Sequence, residues 1–304
     1  MSDNDEELIN LYKKPLGNII KVLTEKILSR DDEIYHYTSQ DGLKGIIENK
    51  HLFFSDARFL NDKTEIAHFY QLLENHIHEI DIKNEELKII LNEIASINNE
   101  TPSDNNFYVL SFSHDNDSLS MWNYYTKSKE NRGYNLHFLS NNLYENILSQ
   151  TSPNICICGN VIYDETDQLK ILKEIIQEID NFYTNFSSEN LKEASQETLR
   201  IIIEYTLHIC SIFMKNKSFS CENEFRIVIQ YMSINKNIEN LDFRISQGIF
   251  IPYIKIPIDT NDIKGITLSP TQHSSDALLG IKEFLKSKGL DHIECNESQI
   301  PIRY

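Results

Sequence analysis

The stretch Cys221-Glu222-Asn223-Glu224-Phe225-Arg226-Ile227-Val228-Ile229 decides the fold class, because its polar and apolar residues alternate as in a β-strand. Such alternation places Glu222, Glu224 and Arg226 on one face and the large apolar residues on the other. We predict one strand over 219–231, with its carboxylates at the rim of a cleft. The alternative is a solvated strand face that carries a cross-strand salt bridge.

Short apolar runs on both sides predict the rest of the sheet, and amphipathic stretches predict helices. Strands are predicted at 33–38, 51–55, 107–113, 134–138, 161–163, 250–256, 263–268 and, at a sheet edge, 299–302. Helices are predicted at 40–49, 61–97, 118–125 and 274–286, with two more between 165 and 214. Strands and helices do not alternate strictly, so the pattern favours an α+β fold with a mixed or antiparallel sheet.

The 304 residues are predicted to form a single domain, 1–304. It begins with an N-terminal helical segment, 1–32, followed by a core over 33–285. Helical insertions are expected in that core at about 64–100 and 165–215. Neither insertion is bounded by a linker-like composition.

The composition indicates a folded protein and restricts its partners. Hydrophobic residues make up 40% of the chain and charged residues 25%, enough apolar material for a core. A formal net charge of -17 opposes broad binding to duplex DNA or anionic lipid. Nucleic acid presented to a cleft as a substrate stays compatible with this charge.

Cysteine usage and the N-terminus indicate the compartment. The five cysteines are odd in number and scattered, and Cys156-x-Cys158 lacks the second pair of ligands that a zinc site requires. We therefore expect neither a disulfide framework nor a metal. The acidic start of the chain is unlike a signal peptide, and no apolar run is long enough to cross a membrane. The expected location is the cytoplasm, without membrane association.

Tyr35-His36-Tyr37-Thr38 and the later Ser55 place hydrogen-bond donors and acceptors in and beside a predicted strand. Such a row suits a ribose hydroxyl and a carboxamide. The alternative is a core histidine satisfied by a neighbouring backbone group.

Aromatic residues around the only tryptophan form a second candidate. Trp122 and Tyr125 lie about one helical turn apart and suit stacking on nicotinamide or a base. A lone tryptophan is equally well explained as a core residue. Asn61-Asp62 with Glu65 is explained by helix capping and a favourable first-turn charge.

The succession of motifs resembles a bacterial family of unknown function, DUF2971. The motifs are Tyr35-His36-Tyr37-Thr38, Ser55, Asn61-Asp62-x-x-Glu65, Ser111-Phe112-Ser113, Met121-Trp122-x-x-Tyr125 with Gly133, Glu222-x-Glu224-x-Arg226 and Leu268-Ser269-Pro270. The resemblance covers roughly residues 33–285. Ser269 is a departure, since glycine is expected before Pro270.

Tyr-His-x-Thr with a following Gly-Leu helix, and the later Glu-x-Glu, also resembles ADP-ribosyltransferases of the His-Tyr-Glu type, including DNA-modifying toxins of toxin–antitoxin pairs. That resemblance implies a split-sheet core and NAD as a substrate, without a metal. It implies that His36 holds NAD, Glu224 stabilises the transition state and Glu222 orients the acceptor. The other expected cofactor-binding residues are Tyr37, Thr38, Ser55, Trp122, Tyr125 and Arg226.

By the same resemblance the protein would be a toxin or phage-defence effector that modifies nucleic acid or protein, with an antitoxin as a partner. Two other classes stay open. One is a non-catalytic nucleotide-sensing domain on the same scaffold. The other is a metal-dependent nuclease that uses Asp62, Glu65, Glu222 and Glu224, since acidic clusters bind Mg²⁺.

Overall fold

The structure is a computed structural model, and it describes most of the chain outside the N-terminal region. The described residues are 21–23, 25–29, 32–60, 65–100, 107–126, 133–151, 154–187, 193–231, 240–246, 248–270 and 275–301. Most of the predicted N-terminal helical segment, and Asn61 and Asp62, lie outside these ranges.

Within the described residues, ten strands and eight helices have defined bounds. The strands are β1 (Glu33–Ser39), β2 (His51–Asp56), β3 (Phe107–Ser113), β4 (Gly133–Leu139), β5 (Ile155–Asn160), β6 (Glu224–Gln230), β7 (Leu241–Ser246), β8 (Ile249–Pro257), β9 (Ile263–Leu268) and β10 (Glu294–Glu297). The helices are α1 (Gln40–Asn49), α2 (Glu65–His76), α3 (Glu85–Glu100), α4 (Leu119–Tyr125), α5 (Ser140–Thr151), α6 (Glu165–Ser187), α7 (Glu193–Ile212) and α8 (Ser275–Ser287).

The chain divides into two compact units, each assembled from several segments. The first takes residues 1–28, 60–105 and 161–219, and the second takes 29–59, 106–160 and 220–304. Helices α2, α3, α6 and α7, from the two expected insertions, belong to the first unit. This division does not test whether the two units fold together as one domain. The single domain therefore stays a prediction.

In the first unit, the helix predicted over 61–97 is two helices. A 3-10 turn over Ile77–Glu79 ends α2, and α3 begins at Glu85. The buried carboxylate of Asp180 accepts hydrogen bonds from the backbone N–H groups of Lys83 and Asn84, at 2.9 and 3.2 Å. These bonds satisfy the backbone of the loop, so the prediction of one continuous helix is wrong.

The second unit is built on one mixed, open sheet. Its strand order is β10-β9-β4-β1-β3-β2-β8-β7, and β6 pairs with both β3 and β5. Among the described strands, every pair is antiparallel except β9–β10, which is parallel. The predicted combination of helices with a mixed sheet is therefore confirmed.

One face of this sheet carries the core of the second unit. Ile34, Phe112, Leu136 and Phe225 project from it and are almost fully buried, in one cluster with apolar residues of α1, α5 and α8. Each such side chain contributes about 1.5–3 kcal/mol by leaving water. We call this the core face, and the opposite side of the sheet the site face.

Two of the predicted strands are displaced. The strand expected at 161–163 lies earlier, as β5, and the residues Gln299, Ile300 and Pro301 of the expected strand 299–302 are not in a strand. Within the described residues, no helix has both the length and the apolar composition to span a membrane.

Candidate functional site

The sheet branches at β3, where β1 and β2 share one edge of the same strand. β1 joins this edge only at Tyr35, opposite Ser113. β2 joins it at Ser55 and Asp56, opposite Val109 and Tyr108. Among the described strands, β1 and β2 therefore pair with the two ends of this edge. Residues 110–112 of β3 lie between the two pairings. We call this opening the β1–β2 gap.

His36 fills part of the gap. Its Nδ1 lies 3.2 Å from the carbonyl oxygen of Ser111, and its ring meets Phe112 edge-on with centroids 5.6 Å apart. Burial lowers the pKa of His36, and the positive charge of Arg244 lowers it further, whereas the Ser111 carbonyl opposes both. At neutral pH the ring is uncharged, with Nδ1–H donating to Ser111, so Nε2 is a hydrogen-bond acceptor.

Ser55 and Arg244 lie on the other side of the gap. Arg244 projects from β7 and donates from Nη2 to the Ser55 hydroxyl at 2.9 Å. The sequence prediction included Ser55 but missed Arg244. An alternating stretch, Leu241-Asp242-Phe243-Arg244-Ile245, was the signal that β7 exists and that a cation projects from it.

The opposite edge of β3 carries the acidic part of the site. β6 pairs along this edge, with Ser113 opposite Glu224 and Ser111 opposite Arg226. Glu224 and Arg226 are both buried, at 3% and 1% exposure, and the Arg226 Nε donates to Glu224 Oε2 at 2.6 Å. A second contact joins Arg226 Nη2 to the same oxygen. The pair holds a negative and a positive charge on the site face of the sheet.

Glu222 does not lie on this strand. The predicted strand over 219–231 is wrong at its start, because Lys217–Glu222 forms a 3-10 turn and β6 begins at Glu224. Asn223, between them, has a φ of 44°, in the left-handed region that breaks a strand. The two carboxylates therefore belong to different elements, and only Glu224 and Arg226 share a strand face.

A tyrosine on α4 contacts Glu222. The Tyr125 hydroxyl donates to Glu222 Oε1 at 3.1 Å, and the Glu222 side chain is buried at 4% exposure. The Ser113 hydroxyl fixes the same residue by donating to the backbone carbonyl of Glu222 at 2.8 Å. Tyr125 is half-buried. These contacts join the end of β3, α4 and the start of β6.

Backbone bonds between the loop after β3 and the turn before β6 stabilise this arrangement. The His114 N–H donates to the carbonyl of Asn223 at 2.9 Å, and the Asn223 side chain donates to Asp115 at 3.1 Å. Asn223 thus fixes the turn through both its backbone and its side chain.

Tyr37 and Trp122 form a small buried cluster beside the site. Their rings meet edge-to-face with centroids 4.7 Å apart. The Tyr37 hydroxyl donates to the Asp115 carbonyl at 2.6 Å and accepts from the Ser118 N–H at 3.0 Å. The Trp122 indole N–H donates to Asp117 at 2.7 Å, and its side chain is 2% exposed. Both residues hold the loop and α4 in place and present little surface to a ligand.

Thr38 shares the core-side orientation of His36 by strand alternation. Its hydroxyl lies close to Gly42 in the first turn of α1, where an added Cβ would collide with it. The next residue, Ser39, caps that helix by accepting from the Gly42 N–H at 3.1 Å. The structure therefore brings Thr38 against the helix start, whereas His36 reaches the gap.

His36 and Glu224 project from opposite sides of the sheet backbone. His36 pairs with Leu136 of the core face, whereas Glu224, Ser113 and Tyr35 form one row on the site face. The positive charge of Arg244, on the site face, nevertheless contributes to lowering the pKa of the imidazole.

Only some of the acidic residues considered for a nuclease site are described by the structure. Asp62 and the side chain of Glu65 lie outside the described residues. Among the residues that are described, no group of three or more His, Cys, Asp or Glu side chains is arranged to hold a metal ion.

Comparison with known families gives a match over part of the chain. Residues 121–227 match the model of a protein family of unknown function, DUF2971. The match confirms the predicted resemblance over a shorter stretch than 33–285. It runs from α4 into β6 and so contains Tyr125, Glu222, Glu224 and Arg226, but not His36. No curated protein and no solved structure matches the chain.

Proposed function

We propose that this protein is an ADP-ribosyltransferase-like enzyme that uses NAD as its substrate. One observation carries the proposal: β3 has His36, Ser55 and Arg244 beside one edge and the Glu224–Arg226 pair beside the other. Neighbouring strands are about 4.8 Å apart, so groups on the two sides of β3 lie about 10 Å apart. One nucleotide can contact both sides.

The polar groups beside the gap suit the ribose and phosphates of NAD. A neutral His36 offers Nε2 as an acceptor for a ribose hydroxyl, and the guanidinium of Arg244 offers donors to a phosphate. Tyr125, half-buried and fixed by Glu222, offers part of its ring to the nicotinamide. We assign no stacking role to Trp122, since its ring packs on Tyr37.

The carboxylates suit the charge that develops in the reaction. The bond between C1′ of the ribose and the nicotinamide nitrogen breaks, and nicotinamide leaves with the bonding electrons. Positive charge develops on the ribose, and a fixed carboxylate stabilises it most in the transition state. Glu224 has this role in the proposal. Glu222 orients the acceptor, whose nucleophilic atom bonds to C1′ and loses its proton.

Release of nicotinamide from NAD by the full chain is the decisive measurement, with and without a cell lysate as acceptor. Glu224→Gln keeps the volume and removes the charge, so turnover should fall about 10²–10³-fold. Glu48→Gln is the matched control, because Glu48 is also paired with a cation, Lys288, but is partly exposed on α1. Unchanged turnover in folded Glu224→Gln would end the proposal.

Histidine isosteres separate the two nitrogens of His36. Asn replaces the Nδ1 donor to Ser111, whereas Gln extends towards the position of Nε2. If Nε2 binds the ribose, NAD affinity should fall more in His36→Asn than in His36→Gln. Equal affinity in wild type and both variants would remove His36 from the binding site. His292→Asn, at an exposed position, is the control.

A second candidate, a nucleotide-sensing domain without turnover, is supported by one observation. Glu224 is buried and already paired with Arg226, as expected of a carboxylate with a purely structural role. NAD would then raise the melting temperature of the protein while no nicotinamide is released.

A role as a toxin or defence effector modifying nucleic acid or protein, controlled by an antitoxin, belongs to the enzyme proposal. Growth arrest that requires Glu224 would support it.

A further inference from the structure

The β7–β8 hairpin ends the sheet with an exposed, apolar edge strand. Among the described strands, β7 pairs with β8 alone. Phe243 and Ile245 on β7 are 54% and 70% exposed, and Phe250, paired with Ile245, is 65% exposed. Edge strands of this kind are templates for pairing with another strand, and proteins usually protect them.

We propose that two copies of this chain associate through β7, antiparallel about a two-fold axis that passes Phe243. The stretch Leu241-Asp242-Phe243-Arg244-Ile245 is complementary to itself in this arrangement. Asp242 of one copy faces the partner's Arg244, and Leu241 faces the partner's Ile245. A two-fold interface requires this property, because the same patch serves both subunits.

The backbone N–H and C=O groups of β7 point in the directions that this pairing requires. The Lys255 N–H donates to the carbonyl of Asn240, which marks a hydrogen-bonded pair of the β7–β8 ladder. Hydrogen-bonded pairs alternate along an antiparallel ladder, so Leu241, Phe243 and Ile245 direct their backbone groups to the free edge. These three residues form the hydrogen-bonded pairs across the proposed axis, with two bonds for each pair.

Charge selects this register over its neighbours. Sliding one copy by two residues places Asp242 opposite Asp242, or Arg244 opposite Arg244, and either contact is repulsive. A shift of one residue in the pairing turns the apolar face of one copy to the opposite side of the combined sheet. Hydrogen bonds from Lys255 and the Phe243 N–H lower the pKa of Asp242, so its carboxyl is ionised at neutral pH. Arg244 keeps free donors beyond the one that bonds Ser55.

Charge reversal tests the pairing. Light scattering behind a sizing column should show the full chain passing to twice its mass of 35.5 kDa as its concentration rises. Asp242→Arg or Arg244→Asp alone creates two like-charge contacts per dimer and should weaken association about 100-fold or more. The double variant reverses both charges and should restore the dimer. Asp242→Arg loses the contacts with Tyr253 and Lys255, and Arg244→Asp loses the contact with Ser55. The double variant loses all of these contacts within the chain, so its recovery isolates the contact between copies.

Phe243→Cys gives an independent readout. Facing residues of a hydrogen-bonded pair have Cα atoms about 5.5 Å apart, within the range of a disulfide. Mild oxidation should cross-link this variant into dimers. Ile89→Cys on α3, at a site 60% exposed, is the matched control and should cross-link no more than wild type. A chain that stays monomeric at every concentration, a double reversal that stays monomeric, or growth of fibres in place of dimers would overturn the proposal.

Discussion

Tyr35 and Glu224 lie in one row on the site face, on the two sides of Ser113. Tyr35 pairs with Ser113 from β1, and Glu224 pairs with Ser113 from β6. The strand predicted around His36 and the strand predicted around Glu224 are therefore next-nearest neighbours in the sheet. The two strands are about 10 Å apart, and His36 itself projects from the opposite side of the sheet backbone.

Replacing one partner of the Glu224–Arg226 pair should destabilise the protein more than replacing both partners. Arg226→Gln leaves a buried carboxylate without its cation, and we expect a loss of about 3–5 kcal/mol in the free energy of unfolding. The double variant Glu224→Gln with Arg226→Gln should lose less, because no buried charge is left. Urea denaturation of the two single variants and the double variant measures the coupling. If the losses of the two single variants add up in the double variant, the pair is not coupled.

Tyr125→Phe and Trp122→Phe should distinguish the site residue Tyr125 from the core residue Trp122, both on α4. Tyr125→Phe removes the hydroxyl that donates to Glu222, and we expect a loss of NAD turnover with a stability loss of about 1–3 kcal/mol. Trp122→Phe opens a cavity and leaves Asp117 without the indole donor, so it should lower stability and spare turnover per folded molecule. The checks are nicotinamide release and a thermal melt for each variant. Equal turnover losses in both would remove the distinction.

Stability should fall as the pH drops from about 6.5 to 5, because of buried histidines. Burial lowers the pKa of His208 to about 4, and it also lowers that of His36, whereas the unfolded chain keeps ordinary values. The unfolded state then binds more protons in this window, so the folded state is favoured above it and loses stability as the pH falls through it. His208→Gln should flatten the dependence, measured as melting temperature against pH. A slope in His208→Gln as steep as in wild type would contradict this.

Gly133 should not tolerate a side chain. A Cβ at this position would lie 2.5 Å from the backbone oxygen of Thr38 and would also collide with the side chain of Thr126. The Thr38 oxygen belongs to β1 and cannot move freely, so we expect Gly133→Ala to cost about 1–3 kcal/mol in the free energy of unfolding. Gly280→Ala on α8 is the control, since nothing lies within 4 Å of its added Cβ. Equal stability of the two variants would show that β1 adjusts.

Patterns along the chain were sufficient for most central strands. β1, β3 and β9 are short, apolar and bounded by turns or polar residues, so periodicity locates them within a residue or two. β7 was missed although its residues alternate, because it is only six residues long and exposed, without the buried apolar run of the central strands. Pairing with β8 makes it a strand, and pairing is not visible in local sequence.

The candidate site was predictable in composition but not in arrangement. His36, Glu224 and Arg226 stand out by residue type, and β3 brings them to its two edges. Arg244 could not be assigned, because its approach to Ser55 depends on the strand order β2-β8-β7. Trp122 and Tyr37 were expected to bind the cofactor. The Tyr37 hydroxyl bonds to Asp115, 78 positions along the chain, which no local pattern contains, whereas Trp122 bonds to Asp117 within its own segment.

The left-handed backbone of Asn223 restricts which sequences can carry this pair of glutamates. Of the common residues, only glycine, asparagine and aspartate adopt such a conformation at low cost, so Glu-Val-Glu or Glu-Ile-Glu would specify a different geometry. A sequence pattern for proteins that share this turn is therefore Glu, then Asn, Asp or Gly, then Glu, with an apolar residue next and Arg after it. Deleting Asn223 would leave both carboxylates in the chain and still abolish the turn that separates them.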